Sequence, residues 1–363
     1  MINSVQCAHR SPLTAHRSPL TAHRSPLTAH PNFCLKFFGT LFKIIISGIF
    51  ALVILTFLCT FYRKSVMEVN DPDGATLWRY TASSSYVYAV EGFSKGKLNN
   101  EGYVNLFDYE KGMSFDVLLM GASHMEAMQL MQQYNTANIL AELSGEKIYN
   151  IGMSGHYLPT CANNLEAAVK KYNPLEFVVI ESPHAAFADE DLIKALNHNI
   201  TREDKARGKL RLALRENPYL FLLYLQANNV LKNYLPKESP FTSQSNPVLI
   251  SEVLNKMSAT VRENSSAKLI IAYHPRVSLN KDGSLKIEGD PEAVKVFADL
   301  CKENGIYFID MGERFLSEYE KDFTLPYGFF NTSVALGHMN KDGHRMFAEE
   351  IYKLMQKIER GEN

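Results

Sequence analysis

The sequence predicts an α/β protein, a three-layer α/β/α doubly wound parallel sheet of the flavodoxin-like kind, preceded by one transmembrane helix. Three observations carry this. Five short apolar runs recur along the chain, helical patterns separate them, and an uncharged 19-residue stretch precedes them all. Near-continuous apolar runs suit strands buried on both faces of a parallel sheet, and strand–helix alternation is how such sheets are wound.

The runs are FDVLLMG (115–121), KIYNIGM (147–153), EFVVIES (176–182), KLIIAYH (268–274) and GIYFIDM (305–311). The intervening helical patterns cover 124–143, 159–172, 247–263 and 291–304, and a last one runs over 342–359. Pro247 and Pro291 stand at helix starts, where the missing amide hydrogen breaks no helical bond. Asn280-Lys-Asp-Gly283 reads as a hairpin turn. Residues 186–236 interrupt the rhythm with a Leu- and Tyr-rich helical insertion. In α/β sheets such insertions lie over the carboxyl ends of the strands, where ligands bind.

Four regions precede or form this domain: a leader (1–35), a membrane segment (36–64), a lead-in (65–114) and the α/β domain itself (115–363). The leader reads AHRSPLT three times without error over 8–28. With a proline in every unit and one leucine, it has no face to bury and is expected to be disordered. Ile44 to Tyr62 carries no charge and is about 28 Å long as a helix, the thickness of a bilayer core. Arg63-Lys64 follows at once with no small-residue cleavage pattern, so an uncleaved anchor is expected rather than a removed signal peptide. A short leader before a long domain favours a cytoplasmic N-terminus and an extracytoplasmic domain.

The net charge of −1 hides an asymmetry. Residues 1–64 hold seven of the 38 basic side chains and no acidic one, which leaves 31 basic against 39 acidic beyond them, a net −8. A domain of that sign is ill suited to nucleic acid, which rewards basic surfaces. Cys161 and Cys301 are the two cysteines beyond the membrane segment, too few for a disulfide framework. No phosphate loop, metal-ligand spacing or other cofactor pattern stands out, so none is expected.

The first run ends in Gly121-Ala122-Ser123 and passes directly into a helical pattern. A serine at such a corner presents its hydroxyl at the carboxyl end of the strand, and its amide at a helix start can stabilise an oxyanion. A plain helix cap would use a serine in the same place. The second run ends in a glycine turn, Asn150-Ile-Gly152-Met-Ser-Gly155, and Gly337-His338-Met-Asn340-Lys-Asp-Gly343-His344 precedes the last helix.

Taken together these motifs resemble the SGNH (GDSL-like) hydrolase superfamily over roughly residues 115–360. The resemblance implies Ser123 as nucleophile, with Ala122 in place of the family's usual Asp, and His338 as general base in an H-x-N-x-x-G run. It implies Gly152, with Gly155 as competitor, as an oxyanion-hole glycine beside the Ser123 amide. Two departures stand out. The position three before His338 is Ala335, so the orienting Asp is absent there, and Asn331, Asp310 and Asp342 are the candidates to replace it. The third run ends in Glu181-Ser182-Pro183-His184 without the family's Asn, leaving Ser182 or His184 as the donor there. His344 falls inside the helix start and is expected to pack or cap.

By the same resemblance, membrane-tethered members act on surface polysaccharides beside membrane O-acyltransferases. The expectation is therefore a Ser-His esterase or O-acyltransferase working on an acylated, in the first instance acetylated, cell-surface glycan, with the membrane met through 44–62, a membrane O-acyltransferase as companion and no nucleic-acid partner. The rival expectation is a catalytically weak accessory protein in polysaccharide modification or export, suggested by the missing Asp and Asn.

The perfect repeat generates a prediction at the level of the gene. A heptanucleotide such as GCTCACC, read through three frames, encodes Ala-His-Arg-Ser-Pro-Leu-Thr and begins again. Sequencing the coding DNA should show identical codons in all three copies built from that seven-base unit, whose gain or loss would shift the frame. A duplicated 21-nucleotide block of other composition is the competing outcome.

Overall fold

A computed structural model describes residues 31–64, 68–70, 77–198 and 246–362. The AHRSPLT repeats and most of the 186–236 insertion lie outside the described residues. The chain divides into two compact units between Val53 and Ile54.

Helix α1 (Pro31–Tyr62) begins five residues before the expected membrane segment. Within it Lys36–Leu55 is 20 residues long with a mean hydropathy of 2.3 and no burial, a candidate membrane span. At 1.5 Å per residue that stretch covers about 30 Å, which matches a hydrocarbon core.

The second unit is built on a five-stranded parallel sheet. Its strands are β6 (Phe115–Met120), β7 (Ile148–Asn150), β8 (Pro174–Ser182), β9 (Lys268–Tyr273) and β12 (Tyr307–Asp310). The order is β12-β9-β8-β6-β7, with every neighbouring pair parallel. In sequence terms this is 2-1-3-4-5, the doubly wound arrangement, and it matches the expected fold class.

Alternate side chains of each strand feed opposite faces. Leu118, Met120, Val178 and Ile180 pack with Leu165 of α4 (Leu158–Tyr172), Leu254 of α6 (Pro247–Asn264) and Phe297 of α7 (Pro291–Glu303). Val117, Leu119, Phe177 and Val179 pack with Leu140 of α3 (Thr136–Ser144), Phe315 of α8 (Gly312–Asp322) and Ile351 of α9 (Lys341–Glu359). Each of these side chains, fully withdrawn from water, contributes about 1.5–3 kcal/mol of burial. Between β8 and the undescribed stretch lies α5 (Asp189–Leu196), and β10 (Val277–Leu279) with β11 (Leu285–Ile287) forms the expected hairpin.

The single helix expected over 124–143 is broken. Helix α2 (Ser123–Glu126) stops after one turn because Ala127 adopts a left-handed conformation, φ 55°. The carbonyl of Met125 accepts from Asn150 Nδ2 at 2.8 Å, which gives that carbonyl a partner outside the helix. The chain restarts at α3, capped by Asn135, whose side chain accepts from the Asn138 amide at 2.9 Å.

The lead-in has structure of its own. β1 (Arg63–Lys64), β4 (Ser85–Tyr88) and β5 (Ser94–Lys97) make an antiparallel sheet, and β2 (Glu68–Asn70) pairs with β3 (Trp78–Tyr80). Tyr80, Tyr86, Leu98 and Val104 from this segment pack on Met128 and Met153 beside the carboxyl ends of β6 and β7. Asn105 binds the edge of β7 through both polar atoms, donating to Asn150 O and accepting from Asn150 N. The lead-in is thus fastened at the carboxyl end of the sheet.

Where α9 meets α3, His344 is buried, and its Nδ1 accepts from the Thr136 amide at 3.2 Å. Burial, aided by His274 and His338, pushes its pKa down to about 3. The unfolded chain takes up this proton near pH 6.5, whereas the folded chain does not. Stability on this account is therefore complete above pH 6.5 and declines toward pH 3, by about 1.4 kcal/mol for each pH unit. Thermal melts between pH 7.5 and 4.5 should show a steeper acid-side loss for the wild type than for His344→Gln. Parallel curves would contradict this assignment.

Candidate active site

Strand β6 delivers Ser123 to the carboxyl edge of the sheet, and the loop before α9 delivers His338. The structure brings the two together: His338 Nε2 lies 2.8 Å from Ser123 Oγ. The other ring nitrogen, Nδ1, lies 2.6 Å from Glu91 Oε2. A carboxylate accepts, so Nδ1 carries the hydrogen, and Nε2 is left to accept from the serine hydroxyl. This is the tautomer a general base requires.

The orienting acid is therefore Glu91, supplied by the turn after β4 in the lead-in. Its Oε1 also accepts from the His338 amide, so one carboxylate holds both ring and backbone. Burial alone would raise the Glu91 carboxyl, but the hydrogen bonds and charge of His338 outweigh it and hold the pKa below the usual value. The group stays ionised. Gly337 makes the approach feasible: its φ is 92°, and a Cβ there would collide with the Glu91 carboxylate.

The residues expected in Glu91's place do other work. Asn331 spends its side chain on the turn around Glu91 rather than on the His338 ring, whose two nitrogens meet Glu91 and Ser123. Its Oδ1 accepts from the Gly92 amide at 2.8 Å, and its Nδ2 donates to Ala89 O at 3.0 Å and Gly92 O at 3.1 Å. It clamps the turn that carries Glu91. Asp310 ends β12 and accepts from the Gly312 amide at 2.8 Å, in the manner of a turn residue. Asp342 lies in the first turn of α9, where Asn340 Oδ1 accepts from its amide at 3.0 Å.

Two of the expected oxyanion donors, Gly152 and Ser182, are engaged elsewhere. The Gly152 amide donates to Asn150 Oδ1 at 2.8 Å, an Asx turn that occupies it. Glycine is needed there for space, since a Cβ would meet the backbone of Met125 and Glu126 at 2.8 Å. Ser182 is buried, and its hydroxyl donates to His184 O at 2.7 Å. Gly155 has φ 86° and an open surround, the marks of a turn. Neither Gly152 nor Ser182 lines the pocket described next.

Ser123, His338 and Glu91 open into a pocket of about 690 Å³ also lined by His124, Tyr157, His184, His274, Arg276 and Glu288. The His338 side chain is 26% exposed against 12% for Glu91, so the base presents more of its surface to the pocket than the acid does. Beneath the serine lies a buried polar chain. Glu181 Oε2 accepts from the Ala122 amide at 2.6 Å, and Glu181 Oε1 lies 2.7 Å from His274 Nε2. His274 Nδ1 lies 2.7 Å from the Tyr327 hydroxyl, which donates to Pro275 O at 2.8 Å. Burial, together with Glu181, keeps the Tyr327 hydroxyl well above its usual pKa and so protonated. This chain fixes the residue immediately before the nucleophile.

A Ser–His–carboxylate relay beside a pocket of this size is equipped for acyl transfer through a covalent acyl-serine. Glu91 escaped the sequence reading because 247 residues separate it from His338. The one available signal was Ala335, which requires any acid to come from elsewhere in the chain.

No protein-family model matches the chain, and no curated protein matches it. Solved structures do. A member of the lipolytic protein G-D-S-L family from Veillonella parvula is 12% identical, with a TM-score of 0.37, covering 66% of this chain and 98% of its own. An acetyl xylan esterase is 13% identical, with a TM-score of 0.41, covering 66% and 98% respectively. At these identities and scores the likeness concerns chain arrangement, and the reading of the site rests on its own hydrogen bonds.

Glu91→Gln should slow phosphonylation of Ser123 by a fluorophosphonate about 10³–10⁴-fold, because an amide no longer dictates the tautomer of His338. Asn331→Ala, which frees the turn but spares the carboxylate, should slow it about tenfold. Equal labelling of Glu91→Gln and wild type would remove Glu91 from the relay.

Proposed function

We propose that this chain is a serine ester hydrolase or O-acyltransferase in which Ser123 attacks, His338 transfers the proton and Glu91 orients His338. The observation that carries the reading is the unbroken relay from Glu91 Oε2 through His338 to Ser123 Oγ, with spacings of 2.6 and 2.8 Å. His338 accepts the hydroxyl proton as Ser123 bonds to the ester carbonyl. It returns the proton to the departing alkoxide, and water or a sugar hydroxyl then takes the acyl group by the reverse path.

The substrate proposed is an acyl ester, acetyl in the simplest case, of a neutral or cationic glycan. The net −8 beyond residue 64 disfavours polyanions. Tyr157 is 41% exposed at the pocket, with its ring 5.2 Å from that of His184, a surface on which a sugar ring can stack. Anchoring by α1, with the domain on the extracytoplasmic side beside a membrane O-acyltransferase, belongs to the same proposal. The accessory reading drew on the missing Asp and the missing Asn, and Glu91 beside His338 speaks against the first of these.

The test uses the full chain in detergent, since β1 follows α1 directly and pairs with the strand leading to Glu91. Wild type should hydrolyse 4-nitrophenyl acetate and release acetate from an O-acetylated neutral polysaccharide, and Ser123→Ala should abolish both. Folded wild type that neither turns over esters nor takes a fluorophosphonate would favour the accessory reading.

A further inference from the structure

With Gly152 and Ser182 engaged elsewhere, the relay has a nucleophile and a base but a sparse place for negative charge. Of the donors expected there, His184 and the Ser123 amide remain at the pocket. The residue next in sequence fills the gap. His124 lines the pocket with Ser123 and His338, its ring centre 5.0 Å from that of His338 and 4.6 Å from that of His274.

The protonation of His124 follows from its partners. Its Nδ1 accepts from the Met339 amide at 3.1 Å. A backbone amide only donates, so Nδ1 bears no hydrogen. Burial, reinforced by His274, His338, His344 and Arg276, holds the ring well below the usual histidine pKa, so it is neutral near pH 7. A neutral imidazole lacking hydrogen on Nδ1 carries it on Nε2. Among the described residues no group accepts that hydrogen. The ring is also held in place, edge-on to His274 at 65° and to Tyr327 at 82°.

We infer that His124 is a further catalytic residue, whose neutral Nε2–H donates a hydrogen bond to the oxyanion formed when Ser123 adds to the ester. The inference rests on the proposed acyl-transfer reading. As the Ser123 Oγ–carbon bond forms, the hydroxyl proton passes to His338 Nε2 and the carbonyl π pair moves onto oxygen. That oxygen accepts from the Ser123 amide and from His124 Nε2–H, and His124 gives up no proton. Collapse restores the carbonyl, breaks the bond to the alkoxide and sends the proton from His338 to the leaving oxygen. A fixed, uncharged donor suits this task, because it needs no reorganisation as charge develops and does not compete with His338 for the proton.

His124→Phe keeps a ring and removes both nitrogens. His124→Gln keeps an acceptor and a terminal N–H donor on a chain of comparable reach. Phe should lower kcat for 4-nitrophenyl acetate about 10²–10³-fold with KM little changed, and weaken a tetrahedral boronate inhibitor by a similar factor. Gln should recover at least tenfold over Phe. Nitrogen-15 spectra of histidine-labelled full chain, assigned by the signal lost in His124→Gln, supply a readout that needs no folded Phe variant. They should show His124 neutral with hydrogen on Nε2 from pH 7.5 to 5.5, and that hydrogen moving downfield when the boronate binds. A Phe variant as active as wild type, an Nδ1–H or charged ring, or an Nε2–H indifferent to the boronate would each overturn the inference while Ser123 labelling left the hydrolase reading standing. Wild type without esterase activity or labelling would overturn both.

Discussion

Everything chemical in this molecule depends on one contact made across 247 residues, the carboxylate of Glu91 against the ring and amide of His338. Without it the imidazole has no reason to present a bare Nε2 to Ser123. The contact is built from both sides. Gly337 leaves room for the carboxylate, and Asn331, reaching from the same loop as His338, holds Ala89 and Gly92 on either side of Glu91. Three hydrogen bonds of about 1 kcal/mol net each stabilise a turn that has no regular secondary structure of its own. The loop that presents the base therefore also grips the segment that presents the acid.

A second layer of order lies under the nucleophile. Glu181 is wholly buried yet has both oxygens engaged, one by the Ala122 amide and one by His274. Removing either partner would leave a polar group in a dry interior, which is expensive, and so the network resists local rearrangement. Its position is instructive. The third strand lacks the asparagine that the resemblance led one to seek, and the residue before Ser182 instead uses its side chain to fix the backbone entering the nucleophile turn.

Much of the architecture was legible in the sequence. The five apolar runs became the five strands of the sheet, since a strand buried on both faces leaves a dense local trace. Ser123 and His338 were legible for a related reason, each standing at a corner where an element begins. The acid was not, because a carboxylate in an unremarkable turn acquires meaning only through a long-range contact. Gly152 misled for another reason. Whether a backbone amide is free depends on its neighbours, and Asn150, two residues earlier and well suited to an Asx turn, was a sign that this one is occupied. The broken helix after Ser123 shows the same thing: helical periodicity over 124–143 gave no hint that Asn150 would take the carbonyl of Met125.

The pairing of β1 with β4 gives the lead-in a meaning beyond packing. The parallel sheet, with its helices, holds the serine and the histidine but not the acid, which arrives on a small antiparallel sheet threaded directly from α1. The antiparallel segment and the parallel sheet thus meet at one relay, packed together where Tyr80 and Tyr86 lie on Met128 and Met153. That arrangement ties the relay to the register of β1 against β4, so a slip of that pairing would carry the carboxylate away from the ring while leaving Ser123 and His338 in place.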